Sequence, residues 1–148
     1  MRNNRVYKSM QRGFTLIEIM VVVVIIGLLA GIIVPSVMDS LDEANTKKAR
    51  ADFKSLQTAL KLYRIDNFTY PSTEQGLEAL VVRPTIAPQP RNYKPNGYLE
   101  ALPKDPWGNE YQYESPSSGK EYDIYSYGAD GVSGGEGTAA DLSIWDDN

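Results

Sequence analysis

Hydrophobic positions run almost unbroken over residues 14–34, FTLIEIMVVVVIIGLLAGIIV, with Glu18 the single charge. About twenty apolar residues are enough to cross the hydrocarbon core of a bilayer as a helix. The β-branched run over residues 21–26 disfavours helix in water, but in lipid the backbone must satisfy its own hydrogen bonds, so helix is predicted. After Pro35 the pattern becomes periodic. Ala49, Phe53, Leu56, Leu60 and Tyr63 recur at spacings of four and three, with Asp42, Lys47, Lys48, Arg50, Asp52, Lys54 and Lys61 on the other faces. That is an amphipathic helix whose stripe faces a core, closed by Asp66-Asn67 and Pro71.

Beyond it the periods shorten. Ser72 followed three residues later by Gln75 forms a capping box, which predicts a short helix over 74–82. Four prolines, at 84, 88, 90 and 95, make the next stretch an irregular loop. Asp105-Pro106-Trp107-Gly108 reads as a turn, followed by an alternating strand through Tyr111 and Tyr113. Residues 115–119 form a hairpin connection. The partner strand, EYDIYSY, puts Tyr122, Ile124 and Ser126 on one face and Asp123, Tyr125 and Tyr127 on the other.

Composition narrows the chemistry. The chain of 148 residues contains no histidine and no cysteine. Disulfides, thiolates, imidazole bases and the usual zinc, haem and iron–sulfur ligands are thereby excluded, whereas oxygen-liganded Ca²⁺ or Mg²⁺ is not. Paired carboxylates such as Asp105 and Glu110 could serve as acid and base, but no nucleophile motif accompanies them, and no enzyme is expected.

The net charge of −4 is unevenly spread. Arg2, Arg5, Lys8 and Arg12 precede the apolar run with no acid among them. Without these four, 11 of the 15 basic residues remain against 19 acidic ones. No base follows Lys120. So acidic a body is a poor match for a phosphate backbone, and nucleic acid is not an expected partner. The basic flank puts the N-terminus in the cytoplasm and everything after Val37 outside it.

The apolar run is too long for an ordinary secretory signal, and no A-x-A site follows it. A small residue lies ahead of it instead, Gly13, between Arg12 and Phe14. This arrangement, RGFTLIEIMVVVVIIGLLAGIIVP, resembles the class III signals of type IV pilins and pseudopilins; an uncleaved signal anchor is the alternative. The resemblance implies cleavage by a prepilin peptidase between Gly13 and Phe14, and methylation of Phe14 as the new N-terminus. Glu18 is costly at membrane depth and so is either functional or shallow enough to snorkel to the cytoplasmic face. In the family, the glutamate at this place pairs with the N-terminal amine of a neighbouring subunit during assembly. Gly27 and Gly31 form G-x-x-x-G, which favours close helix packing, and Pro35 kinks or interrupts a helix. Similar pilins lose helix between such glycines and the proline once packed in a filament.

YPSTEQGLEALV, LPKDPWGNEYQY and YDIYSYGADG with a Gly-rich acidic tail resemble the major pseudopilins of the type II secretion system, the general secretion pathway protein G family. The similarity covers nearly the whole chain. It implies an α+β, pilin-like fold: a long N-terminal helix, half membrane-embedded and half amphipathic, on a small antiparallel sheet. Residues 1–13 become the cleaved leader, 14–37 the transmembrane and filament-core helix, and 38–148 a periplasmic globular domain. The implied function is that of a structural subunit polymerising into the periplasmic pseudopilus that drives folded exoproteins across the outer membrane. Its implied partners are further copies of itself, minor pseudopilins, the prepilin peptidase, and the inner-membrane assembly platform with its ATPase. A type IV pilus major pilin is the alternative, against which the missing cysteines and the Gly-Asp tail both argue.

Residues 127–141, YGADGVSGGEGTAAD, are rich in oxygen and glycine and lack nitrogen or sulfur ligands, which suits Ca²⁺ better than Mg²⁺. An EF-hand is excluded, because Val132 and Gly134 stand where side-chain oxygens belong. By resemblance, the loop holds one calcium through the side chains of Asp130 and Asp141 and backbone oxygens of Tyr127, Val132 and Gly135, with Ser133 or Glu136 as further candidates. A solvated acidic loop without metal is the alternative.

Overall fold

The structure, a computed structural model, describes residues 13–146; the side chains of residues 33–36 and 39 lie outside the description. Residues 1–12 of the expected leader therefore lie outside the described residues. The chain divides into two compact units, Met1–Ser40 and Leu41–Asn148.

A single α-helix, α1, runs over Leu16–Asn67 and continues through Gly27, Gly31 and Pro35. Within the second unit its stripe is buried as the periodicity predicts. Ala49, Phe53, Leu56, Leu60 and Tyr63 are all at most 2% exposed. Phe53, Leu56, Leu60 and Tyr63 pack with Leu77, Leu80, Tyr111, Tyr113, Tyr122 and Ile124 in one core. Burying side chains of the size of Leu or Phe contributes about 1.5–3 kcal/mol each, so this stripe dominates the stability of the unit.

The helix ends where Asn67 takes over its bonding. Asn67 Nδ2 donates to the Tyr63 carbonyl at 3.0 Å, while its Oδ1 accepts the Asn92 N–H at 2.9 Å. Phe68 then adopts a left-handed conformation, φ +65°, and its N–H closes on the Arg64 carbonyl at 2.7 Å. This is an αL helix stop built without the usual glycine.

The capping box forms reciprocally. Ser72 N–H donates to Gln75 Oε1 at 3.0 Å and Gln75 N–H to Ser72 Oγ at 3.2 Å. The helix expected over 74–82 is nonetheless shorter, a turn followed by one 3-10 turn at Leu77–Leu80. Gly76, at φ 62° and ψ −171°, breaks the helical path between them. Gln75 also donates through Nε2 to the carbonyls of Ile86 and Pro88, at 3.0 and 2.8 Å. The proline-rich loop, having no regular structure, is held by this buried amide.

Three strands make one antiparallel sheet in the order β1-β2-β3: β1 Gln112–Glu114, β2 Asp123–Ser126 and β3 Leu142–Ser143. Tyr113 pairs with Ile124 and Tyr125 with Ser143. Tyr122, Ile124 and Ser126 share one face as expected, and that face is the buried one. Two buried tyrosines bond their hydroxyls: Tyr111 donates to Asp52 Oδ2 and Tyr113 to the Pro71 carbonyl, both at 2.9 Å. Strand β3 is absent from the sequence-based expectation. Two residues long, it shows no alternating run, and the 3.0 Å bond from Ile144 N–H to the Ile124 carbonyl extends its pairing.

Candidate functional site

The N-terminal unit presents its chemistry at the start of α1. Gly13, Phe14 and Thr15 precede the helix without regular structure, and Phe14 is 83% exposed. Thr15 and Glu18 form a capping box of their own. Glu18 Oε2 accepts the Thr15 N–H at 2.9 Å, and Thr15 Oγ1 accepts the Glu18 N–H at 3.3 Å. Thr15 Oγ1 also donates to Glu18 Oε2, at 3.0 Å. Glu18 thus has a local role that the sequence reading passed over, although T-x-x-E at a helix start spells it out.

Downstream, large apolar side chains from Leu16 to Ile32 are all at least half exposed. A Cβ at Gly27 or Gly31 would meet nothing within 4 Å. Nothing among the described residues packs on these glycines, and the helix is apolar on most of its surface. Among the described residues, no helix is long and apolar enough to cross a membrane. The stretch with described side chains ends at Ile32.

The second candidate is the loop between β2 and β3. Two 3-10 turns, Gly128–Asp130 and Gly137–Ala139, shape it. Its entrance is tied to the DPWG turn, where Asp105 is buried and accepts N–H groups from Trp107 and Asn109 at 3.1 and 2.7 Å. Asp105 Oδ2 also accepts the Ser126 hydroxyl at 2.6 Å, and Asn109 Nδ2 donates to the Gly128 carbonyl at 3.1 Å. Asp105 is therefore an organiser of backbone. Glu110 sits beyond the turn, its backbone in an isolated antiparallel bridge with Lys104.

Within the loop, Asp130 Oδ1 accepts the Val132 N–H at 3.1 Å, and Asp141 Oδ2 reaches back to the Gly134 N–H at 3.0 Å. Asp141 also borders a polar concavity of about 450 Å³, with Tyr127, Ser133, Glu114, Asp123 and Asp146 on its walls. Tyr127 precedes the first turn, and Val132 is exposed at the loop's tip. Among the described residues, no three His, Cys, Asp or Glu side chains are grouped so as to hold a metal. What the loop offers besides two carboxylates is backbone oxygen. A Cβ on Gly128 would lie 2.8 Å from the carbonyl oxygens of both Thr138 and Ala140, and one on Gly135 only 2.5 Å from that of Ala139. These carbonyls close around two glycines whose positive φ other residues resist. The sequence reading missed Thr138, Ala139 and Ala140, because residue type carries no signal of carbonyl direction.

Residues 36–145 match the family described as type II secretion system (T2SS), protein G, and residues 8–34 match the prokaryotic N-terminal methylation motif. The chain belongs to the type II secretion system protein G family. It is 55% identical to the type II secretion system core protein G of Pseudomonas aeruginosa over 139 residues, 94% of this chain and 98% of that one. Against the core protein G of Vibrio cholerae it is 53% identical over 135 residues, 91% and 92% of the two chains. The crystal structure of the major pseudopilin of enterohaemorrhagic Escherichia coli superposes with a TM-score of 0.68 at 45% identity. That match covers 77% of this chain and 97% of the other. Protein G is a structural pseudopilus subunit of the secretion system, not an enzyme, and its fold is pilin-like α+β. A type IV pilus major pilin is not favoured by these relatives.

Proposed function

We propose that this protein G chain is cut between Gly13 and Phe14 by a prepilin peptidase and methylated on Phe14. It would then be held in the inner membrane by residues 14–37, with its globular unit in the periplasm. From there it polymerises with copies of itself, joined by minor pseudopilins and driven by the assembly platform and its ATPase, into the filament that moves folded exoproteins across the outer membrane. The observation that supports this most is the N-terminal helix, whose large apolar side chains from Leu16 to Ile32 are left exposed by the described residues. Such a surface is unstable in water and must be transferred from lipid to a bundle of like helices, where Gly27 and Gly31 allow close approach.

Glu18 supplies the order in that bundle. Its carboxylate already bonds the Thr15 N–H, one residue from the amine that cleavage would create on Phe14. An incoming subunit's amine would find an acceptor held in place by that cap, and opposite charges attract strongly in apolar surroundings.

The loop over residues 127–141 is proposed to take one Ca²⁺. Asp130 and Asp141 would hold it together with backbone oxygens of Tyr127, Val132 and Gly135; a bound ion would supply a cross-link that this cysteine-free chain otherwise lacks. The reading is supported by two loop carboxylates, Asp130 and Asp141, in a segment where the carbonyls of Thr138, Ala139 and Ala140 also turn inward.

Mass analysis of the chain recovered from membranes tests the processing. The expected mature form begins at a methylated Phe14; a chain still carrying residues 1–13 would refute it.

A further inference from the structure

At the C-terminal end of α1, an open groove of about 770 Å³ is lined by Lys61, Arg64, Ile65, Phe68, Tyr70 and Glu121. Two of these residues work against the stability of the isolated chain. Phe68 holds φ +65°, a left-handed conformation in which a Cβ is strained and glycine is the default. Its ring is also 75% exposed, beside Ile65 at 68%. The left-handed turn at Phe68 ends α1, but glycine would do this without the strain of a Cβ; a strained position that also exposes its ring marks a functional surface.

The rim is electrostatically biased. Arg64 is neutralised by Glu121 at 2.6 Å and lies over the Tyr70 ring, 5.0 Å from its centre. Lys61 makes no ion pair among the described residues. The groove therefore has an apolar floor and one free cation. Its complement stands elsewhere on the same unit. Val132, 63% exposed at the tip of the β2–β3 loop, is flanked by Asp130, Glu136 and Asp141, in a segment with no base after Lys120.

We infer that the groove receives the β2–β3 loop of a second copy of this chain, with Val132 set against Ile65 and Phe68, and Glu136 facing Lys61. The two surfaces differ, so the contact is heterologous. With its groove on one neighbour and its loop on the next, the contact repeats from one subunit to the next, which is the geometry of a filament. A reciprocal two-fold pair would stop at the dimer, and a cross-linked dimer without higher multimers would overturn the inference. An ion on Asp130 and Asp141 would leave Glu136 to meet Lys61, and would fix the loop that carries Val132. The inference rests on the filament reading above and adds the contact between globular units.

The cysteine-free background allows a direct test. In secreting cells, full chains carrying Ile65→Cys and Val132→Cys together should give a ladder of disulfide-linked multimers on oxidation, whereas each single variant should not. Filaments by electron microscopy without that ladder would overturn the contact and leave polymerisation standing. No filaments from the unaltered chain would overturn polymerisation, and the contact with it. A cross-link only to a protein of another kind also overturns the contact. A second variant gives an independent sign. Phe68→Gly should raise the unfolding midpoint of the detergent-solubilised chain by roughly 2–4 °C, yet lower the yield of filaments. Raised stability with undiminished filaments would overturn the inference.

Discussion

The hydroxyl of Ser126 donates to Asp105 Oδ2 at 2.6 Å, in the interior and across 21 positions of sequence. Through this contact the DPWG turn and the entrance of the β2–β3 loop become one unit. The same carboxylate serves Trp107 and Asn109, and Ser126 Oγ accepts the Gly128 N–H at 3.1 Å. Asp105→Ala would strand three donors. Each buried donor left unsatisfied costs about 1–3 kcal/mol, so a loss of about 3 kcal/mol is expected from denaturant unfolding of residues 41–148. Asp105→Asn should lose less, because its carbonyl still accepts the two turn amides.

Buried tyrosines set an alkaline limit. Burial is the main cause that pushes Tyr98 up to about 12, and it raises Tyr63, Tyr93, Tyr113 and Tyr122 in the same direction. A folded pKa above the unfolded value of about 10 means that the folded state binds the proton more tightly. The contribution is whole below pH about 10 and is lost as pH rises through the folded value. Stability should therefore fall between pH about 10 and about 12. An unfolding free energy unchanged across that pH range would contradict this.

Calcium should stabilise by mass action, since only the folded loop brings its oxygens together. A chelator is expected to lower the unfolding midpoint of residues 41–148, and Asp130→Asn with Asp141→Asn to abolish the calcium response. An unchanged midpoint with chelator would rule out the ion.

Glu18 carries two separable duties, a helix cap and a charge. Glutamine preserves the cap and alanine removes both. Both Glu18→Gln and Glu18→Ala should be cleaved normally and assemble poorly if the charge governs assembly. Normal assembly of Glu18→Gln would reduce the residue to a cap.

The parts legible in the sequence were those whose signal repeats or is local. The α1 stripe is spelled by its period, and the Ser72–Gln75 box by two residues three apart. The 74–82 helix failed because the conformation of Gly76 is set by its surroundings, not by its neighbours in sequence. Strand β3 is defined only by its pairing with β2. The acidic loop announced its composition, but the inward turn of the Thr138 and Ala140 carbonyls onto Gly128 is a tertiary fact. Phe68 was passed over for the same reason, since an exposed phenylalanine in a left-handed bend looks in sequence like any residue after a helix.

The most direct measurement is deletion of this chain in a secreting Gram-negative host, followed by return of the unaltered chain and assay of exoproteins in periplasm and medium. Folded exoproteins should accumulate in the periplasm on deletion and reappear in the medium on return. Undiminished release without the chain would contradict its role as the structural subunit of secretion.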